Sequence, residues 1–186
     1  MANERQAKSI FEGGIFVERI WAPWRTEYIG QDHGTACIFC EKLHSNNDAA
    51  NYLLFRGKEV FVLLNLYPYN NGHLLVAPGR HTGDFTGLTD SELLEVGQVT
   101  RQMVKLLQFA FNPDGFNIGI NLGEIAGAGI PGHFHVHIVP RWSGDTNFMP
   151  VLGDVRVISE GLDLTYRKLK EIMEKLKSED TGTREG

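Results

Sequence analysis

The 186-residue chain contains only two cysteines, Cys37 and Cys40. A secreted disulfide framework needs more cysteines than this, so that class of protein is excluded. No run of about 20 apolar residues is present to span a membrane. The first residues, MANERQAKSIFEGG, also lack the apolar stretch of a signal peptide. These absences predict a cytoplasmic protein with no membrane partner.

Positive charge is also scarce, because 18 Lys and Arg residues face 23 Asp and Glu residues, for a net charge of -5. A dedicated duplex-DNA binder needs clustered Lys and Arg against the phosphates, so no nucleic-acid partner is expected. A nucleotide substrate stays open, since a local site can hold a few phosphates. The hydrophobic fraction of 42% is ordinary for a globular protein, and the length suits one domain.

The spacing of apolar residues predicts five strands and two helices. A capping box of Thr89 and Glu92 begins the clearest helix, and Asp163 caps the second. Pro140 is expected to end the last strand. The predicted strands are 52–55, 60–65, 73–77, 116–121 and 133–139, and the predicted helices are 90–111 and 164–177. This order predicts an α+β fold with an antiparallel sheet.

The most informative segment is His133-Phe134-His135-Val136-His137. Alternate side chains of a strand point to one face, so the three histidines share a face while Phe134 and Val136 point to the core. Neighbouring histidines then lie about 6.6 Å apart along the strand. Because a buried imidazole needs hydrogen-bond partners, three in a row favour a functional site.

Three interpretations of these histidines compete. They could be incidental residues on a solvent face, or they could bind zinc, since His-x-His on a strand is a familiar zinc geometry. They could also act on phosphorus, with neutral imidazole as a nucleophile near pH 7. The glycines of the preceding loop favour phosphate, because Gly127, Gly129 and Gly132 leave backbone N–H groups open to an anion. A catalytic zinc is less favoured, since Glu124 is the only acid in residues 115–140.

Two motifs together resemble the histidine triad (HIT) superfamily. The segment from Gly132 to Val139 resembles its signature, His-φ-His-φ-His-φ-φ, where φ is apolar. The segment from Asn65 to His81 resembles its first-half pattern of Asp or Asn, then Pro, then Gly-His, then Pro-x-x-His. The ends of the chain are similar to the longer bacterial members, the diadenosine tetraphosphate (Ap4A) phosphorylases or hydrolases. The similar end segments are Trp21-Ala22-Pro23-Trp24-Arg25 and residues 141–149.

The resemblance implies a fold and a division of the chain. The implied fold is a five-stranded antiparallel sheet with a long helix and a C-terminal helix, usually in a homodimer. The HIT domain is expected over residues 37–178. An N-terminal extension, residues 1–36, is expected to pack on it, and residues 179–186 are expected to form a disordered tail.

The resemblance also implies roles for individual residues. His135 matches the nucleophile, and His137 and Asn121 match positions that contact phosphate. Asn65 matches the residue that binds ribose hydroxyls, and specificity is expected from residues 60–66, including Leu66. Gly129 lies in the phosphate loop, where many members carry a Gln that helps to hold the phosphate or the leaving group. That departure weakens the likeness to Fhit-like hydrolases and leaves room for another acceptor.

The Cys37-Ile38-Phe39-Cys40 motif has several interpretations. A redox pair would need a thioredoxin-like βαβ context, which the sequence does not provide. Two buried free cysteines are another option, and a structural zinc needs two further ligands. In related members that carry Cys-x-x-Cys, the resemblance implies zinc on Cys37, Cys40, His81 and His133. His133 would then orient the strand instead of touching phosphate, and no organic cofactor is expected.

The function implied by the resemblance is cleavage of dinucleoside polyphosphates such as Ap4A. The reaction would pass through a nucleotidyl-histidine intermediate on His135, with phosphate or water as acceptor. Two alternatives stay open at this point. One is a nucleoside phosphoramidase, and the other is a nucleotide-binding regulatory protein with little turnover.

Overall fold

The computed structural model describes residues 37–146 and 158–182. The expected extension, residues 1–36, and residues 147–157 and 183–186 lie outside the described residues. The strands are β1 (Leu53–Arg56), β2 (Val60–Leu64), β3 (Leu74–Pro78), β4 (Gly115–Ile120) and β5 (Val136–Arg141). The helices are α1 (Ile38–His44), α2 (Asp90–Phe111) and α3 (Leu162–Gly182).

The five strands form one antiparallel sheet in the order β1-β2-β3-β5-β4. With the long helix α2 and the C-terminal helix α3, this confirms the expected α+β, HIT-like fold. The capping box is present at the start of α2, where the Thr89 side chain accepts from the Glu92 N–H, and Asn112 ends the helix in a left-handed conformation.

Both faces of the sheet are covered at its central strands β2 and β3. The face that packs on α2 and α3 carries Val62, Val76, Phe134, Val136 and Ile138, all buried in one cluster. The opposite face packs on α1 and buries a second, smaller cluster: Phe39, Leu53, Phe61, Leu63, Leu75 and Ala77. Because β2 and β3 are buried on both faces, they have continuous apolar sequences instead of alternating ones.

The last strand differs from the prediction at both ends. It begins at Val136, so His133 and His135 lie in the segment just before it, although their side chains still alternate with the core residues Phe134 and Val136. It also continues through Pro140, which the sequence predicted as its end. Pro140 has no N–H to donate, and it is tolerated because β3 pairs only as far as Ile138, so no β3 carbonyl loses its donor there. On its other side Pro140 lies opposite Phe116 of β4.

The helices differ in two further respects. The helix predicted over 164–177 begins at Leu162 and runs to Gly182, and Asp163 lies in its first turn instead of capping it. There the Asp163 carboxylate accepts a hydrogen bond from the Tyr52 hydroxyl at 2.8 Å. The short helix α1 was not predicted at all. Within the described residues no helix is long and apolar enough to cross a membrane, and the cytoplasmic location stays a prediction.

Candidate active site and metal centre

Three separate pieces of chain meet at one end of the sheet. Cys37 is the N-cap of α1, and Cys40 lies in its first turn. His81 follows β3 and His133 precedes β5. Because β3 and β5 are antiparallel neighbours, the end of one lies beside the beginning of the other. The fold therefore brings together the four residues that the resemblance implied as zinc ligands.

The geometry of this cluster fits a tetrahedral metal. One ligand atom from each of the four side chains lies within 4.8 Å of the others. His133 Nδ1 lies 3.4 Å from Cys37 Sγ, 3.7 Å from Cys40 Sγ and 3.4 Å from His81 Nδ1. A tetrahedral zinc with Zn–S of about 2.3 Å and Zn–N of about 2.0 Å separates S from N by about 3.6 Å and N from N by about 3.3 Å. The four side chains therefore lie close enough to bind a metal.

The surroundings of the cluster also suit a metal. His133 Nε2 lies 2.8 Å from the Pro78 carbonyl, which can only accept, so Nε2 carries the proton and Nδ1 offers its lone pair to the cluster. Burial lowers the pKa of His133, which keeps the ring neutral as a ligand must be. Burial and the neighbouring Cys37 sulfur raise the pKa of the Cys40 thiol, a cost that a bound dication would offset.

His135 is held in the tautomer that a nucleophile needs. Its Nδ1 lies 2.8 Å from the His133 carbonyl, so Nδ1 must donate and Nε2 keeps its lone pair. The side chain is only 6% exposed. Burial lowers the pKa of His135, and the backbone hydrogen bond opposes this shift. The ring is therefore neutral near pH 7, and its Nε2 atom can attack an electrophile.

Phe39 of α1 packs against the two histidines just described. Its ring centroid lies 5.0 Å from that of His133 and 5.1 Å from that of His135. Phe39 itself is 1% exposed and contacts the ring of Phe61 edge-on. The helix that begins at the cysteine pair therefore also packs an aromatic ring against His135.

A hydrogen-bonded chain fixes the tautomer of His137. The backbone N–H of Tyr69 donates to His73 Nδ1 at 3.1 Å, so His73 carries its proton on Nε2. His73 Nε2 lies 3.0 Å from His137 Nδ1 and donates to it. A neutral His137 therefore carries its proton on Nε2. His73 is itself buried, at 1% exposed.

Asn65 and Leu66 line a narrow, mostly apolar cleft beside α1. The other residues that line it are Ile38, Phe39, Lys42, Leu63, Tyr67, Leu75 and Ile130. The Asn65 side chain is fixed by two contacts, since Oδ1 accepts from the Tyr67 N–H at 3.0 Å and Nδ2 lies 3.3 Å from His73 Nδ1. Asn65 thus connects the cleft to the hydrogen-bonded chain that runs from Tyr69 through His73 to His137.

The other two residues that the resemblance assigns to the phosphates, Asn121 and Gly129, lie at the loop between β4 and β5. The Asn121 side chain is half-buried and donates from Nδ2 to the Gly127 carbonyl at 3.2 Å, which closes the loop on itself. Gly129 is exposed in the same loop. The loop leads directly in sequence into His133 and His135.

Comparison with known proteins establishes the family. The HIT domain model matches residues 46–144, more than half of the chain. An AP-4-A phosphorylase of Mycobacterium tuberculosis is 37% identical over 174 residues, which cover 87% of this chain and 89% of that protein. The chain belongs to the HIT family.

Other family members show the same relationship over shorter stretches or by structure. The asymmetrical bis(5'-nucleosyl)-tetraphosphatase of Schizosaccharomyces pombe is 37% identical over 93 residues, half of each chain. The crystal structure of a zinc-bound histidine triad family protein from Mycobacterium smegmatis superposes with a TM-score of 0.63 and 27% identity. The superposition covers 77% of this chain and 96% of the Mycobacterium smegmatis protein.

Sequence reasoning missed three contributions to this HIT site. Phe39 was not singled out because a buried phenylalanine in a short segment has no distinguishing pattern. Tyr69 was not singled out, although its N–H and its ring both contact the histidines. Lys42, which lines the cleft, lies one helical turn after Ile38, a spacing that could have been noticed had α1 been predicted.

Proposed function

We propose that this protein cleaves dinucleoside polyphosphates such as Ap4A by nucleotidyl transfer to His135. The observation that carries the proposal is the hydrogen bond from His135 Nδ1 to the His133 carbonyl, which leaves Nε2 as a neutral nucleophile. The family and the names of the relatives, an AP-4-A phosphorylase and a bis(5'-nucleosyl)-tetraphosphatase, support the same class of substrate.

The first chemical step forms a P–N bond and breaks a P–O bond. His135 Nε2 attacks the α-phosphorus of Ap4A, and the bond between that phosphorus and its bridging oxygen breaks. The leaving oxygen keeps the electron pair, so ATP departs and AMP stays on His135. His137, with its proton on Nε2, is placed to donate a hydrogen bond to a phosphate oxygen during this step.

The second step transfers AMP to an acceptor and restores His135. Inorganic phosphate attacks the phosphorus to give ADP, or water attacks it to give AMP, and the P–N bond breaks with its electron pair returning to Nε2. Gly129 stands where many HIT proteins have a Gln, so this loop offers its backbone instead of a side-chain amide to the second nucleophile. A small anion such as phosphate suits that environment.

Binding is assigned to the cleft and the loop that flank the histidines. Asn65 and Leu66 hold the nucleoside, since the cleft they line is narrow and apolar with an amide at its edge. Asn121, Gly129 and His137 hold the phosphates. Cys37, Cys40, His81 and His133 would hold a structural zinc, which would tie α1 to the histidine segment.

A second copy of the chain is proposed to cover β4. This strand is an outer strand of the sheet, and Ile118 and Ile120 are 51% and 42% exposed on it, with Leu122 49% exposed just beyond. An exposed apolar edge strand is a template for pairing with another chain. Sedimentation of wild type and of an Ile118→Lys, Ile120→Lys variant tests the homodimer. Two monomeric samples would contradict it.

The test of the function is incubation with Ap4A, with and without inorganic phosphate, and chromatography of the products. ADP plus ATP only with phosphate identifies a phosphorylase, and AMP plus ATP without phosphate identifies a hydrolase. A His135→Ala variant is expected to lose turnover and the acid-labile adenylyl-protein intermediate.

The same experiment separates the alternatives. Turnover of a nucleoside phosphoramidate but not of Ap4A would favour a phosphoramidase, which breaks a P–N bond at the same histidine. Nucleotide binding without turnover of either, unchanged in His135→Ala, would favour a regulatory protein. Either result contradicts the proposed cleavage of polyphosphates.

A further inference from the structure

Tyr69 contacts the histidine chain in two ways at once. Its backbone N–H donates to His73 Nδ1 at 3.1 Å. Its ring centroid lies 4.7 Å from that of His73 and 5.8 Å from that of His137. The planes of Tyr69 and His137 are only 15° from parallel, so the tyrosine ring stacks over the imidazole. One loop residue thus touches both the tautomer-setting histidine and the histidine assigned to the phosphates.

The loop that carries Tyr69 is fixed by the next residue, Asn70. The Asn70 side chain donates to Asp145 Oδ2 at 2.8 Å and to the Pro140 carbonyl at 3.2 Å. Asp145 also accepts from the Arg141 guanidinium, which holds the pKa of that carboxyl well below its usual range. The loop is therefore anchored to the end of β5, the strand that carries His137.

Other rings around His137 make different contacts. The His135 ring lies 4.8 Å away and is tilted by 64°, and the His73 ring lies 5.2 Å away and is tilted by 44°. Tyr69 alone of these three is parallel to His137, so it presents its π-face to the imidazole. A ring stacked parallel to the imidazole limits the rotation of the imidazole about χ2.

We propose that Tyr69 is a positioning residue for His137. Its stacked ring holds the imidazole in the orientation that aims Nε2–H at the substrate, so the hydrogen bond to the developing phosphate charge is aligned before the reaction begins. The inference rests on the proposed function, because it assigns Tyr69 to the same nucleotidyl transfer. Loss of the Tyr69 ring should therefore lower the rate of the first step more than it lowers the affinity for nucleotide.

The experiment compares Tyr69→Phe, Tyr69→Trp, Tyr69→Leu and Tyr69→Met in the full chain. Phe and Trp keep a stacked ring, whereas Leu and Met fill space without a π-face. The single-turnover rate at saturating Ap4A should stay within about twofold of wild type for Phe and Trp, and fall about tenfold, equivalent to about 1.4 kcal/mol, for Leu and Met. The half-saturating Ap4A concentration should stay within about twofold for all four, since the stack acts in the transition state.

A second measurement does not depend on turnover. Nitrogen-15 NMR of the imidazoles reports the tautomer and order of His137 in the substrate-free protein. The Leu variant should broaden or shift the His137 signals, whereas the Phe variant should leave them at the wild-type positions. Thermal melting of each variant separates these effects from loss of folding.

Several results would overturn the proposal. Wild-type rates and His137 signals in Tyr69→Leu would show that the stack has no effect. A Phe variant as slow as the Leu variant would assign the effect to the hydroxyl. If wild type itself does not turn over Ap4A, the proposed function fails separately, and the NMR comparison alone then decides whether Tyr69 positions His137.

Discussion

Replacing Phe39 by Leu tests whether the helix with the cysteine pair also shapes the active site. Phe39 is 1% exposed, and its ring lies about equally far from the rings of His133 and His135, at 5.0 and 5.1 Å. Truncating a buried Phe to Ala costs about 3–5 kcal/mol, so the smaller change to Leu should cost roughly 1–2 kcal/mol. For a domain of this size each kcal/mol lowers the melting temperature by about 2–4 °C.

The effect on rate follows from the aromatic contact with His135. Such a ring pair contributes about 0.5–1.5 kcal/mol beyond area burial. If that energy holds the imidazole in its reactive orientation, its loss should slow nucleotidyl transfer by roughly two- to tenfold. The assay is the single-turnover rate of Ap4A cleavage, measured beside thermal unfolding with the zinc content of each sample known.

Phe61→Leu is the matched control. Phe61 is equally buried, and its ring contacts Phe39 and His133, so its replacement should cost similar stability. Because its ring contact is with His133, the rate should stay near that of wild type. Equal slowing in both variants, or a wild-type rate in Phe39→Leu despite a lower melting temperature, would refute a role for Phe39 in orienting His135.

Two further predictions concern the metal centre and acid stability. Cys37→Ser should lower bound zinc, measured by atomic emission, from about one per chain to a small fraction, and it should lower the melting temperature. The control variant His44→Ala, on the same helix, should keep the metal. Full zinc retention in Cys37→Ser would contradict the assigned ligands. Glu92 has a folded pKa of about 2, held down mainly by Arg80, against an ordinary value of 4.5. The ionised Glu92 carboxylate stabilises the folded state above pH 4.5, and this contribution is lost as the pH falls toward 2. Wild type should therefore lose more free energy of unfolding across that window than Glu92→Gln, measured by denaturant titration. Equal losses in the two proteins would contradict this prediction.

The sequence predicted the sheet and the long helix well because their signals are local. The apolar runs of β2 and β3 and the capping box of α2 are each readable within a few residues. Helix α1 was missed for the same reason, since it has seven residues and its N-cap, Cys37, makes no side-chain cap hydrogen bond. Helices this short derive their stability from tertiary packing, here the burial of Phe39, which no local pattern reveals.

The metal cluster could not be assembled from spacing alone. Cys37 and His133 are 96 residues apart in sequence, and only the antiparallel pairing of β3 with β5 brings His81 and His133 together. The resemblance supplied the four residues, and the geometry then confirmed that they meet. The chain from Tyr69 through His73 to His137 was not predicted, because a backbone N–H leaves no trace in the residue types.

Side chains alternate along the histidine segment, so those on one face pack in the core and those on the other face form the site. Phe134 and Val136 are buried against α2 and α3, so they hold the segment in register without touching the site. On the opposite face His133 faces the metal cluster while its carbonyl accepts from His135 Nδ1. The orientation of His135 therefore depends on the backbone position of His133. The His133 side chain is in turn held by the Pro78 carbonyl and by the cluster. A bound metal would restrain the acceptor on which His135 relies without approaching the phosphates. It would also hold α1, which supplies one side of the cleft beside Asn65, so its loss should disorder both His135 and that cleft.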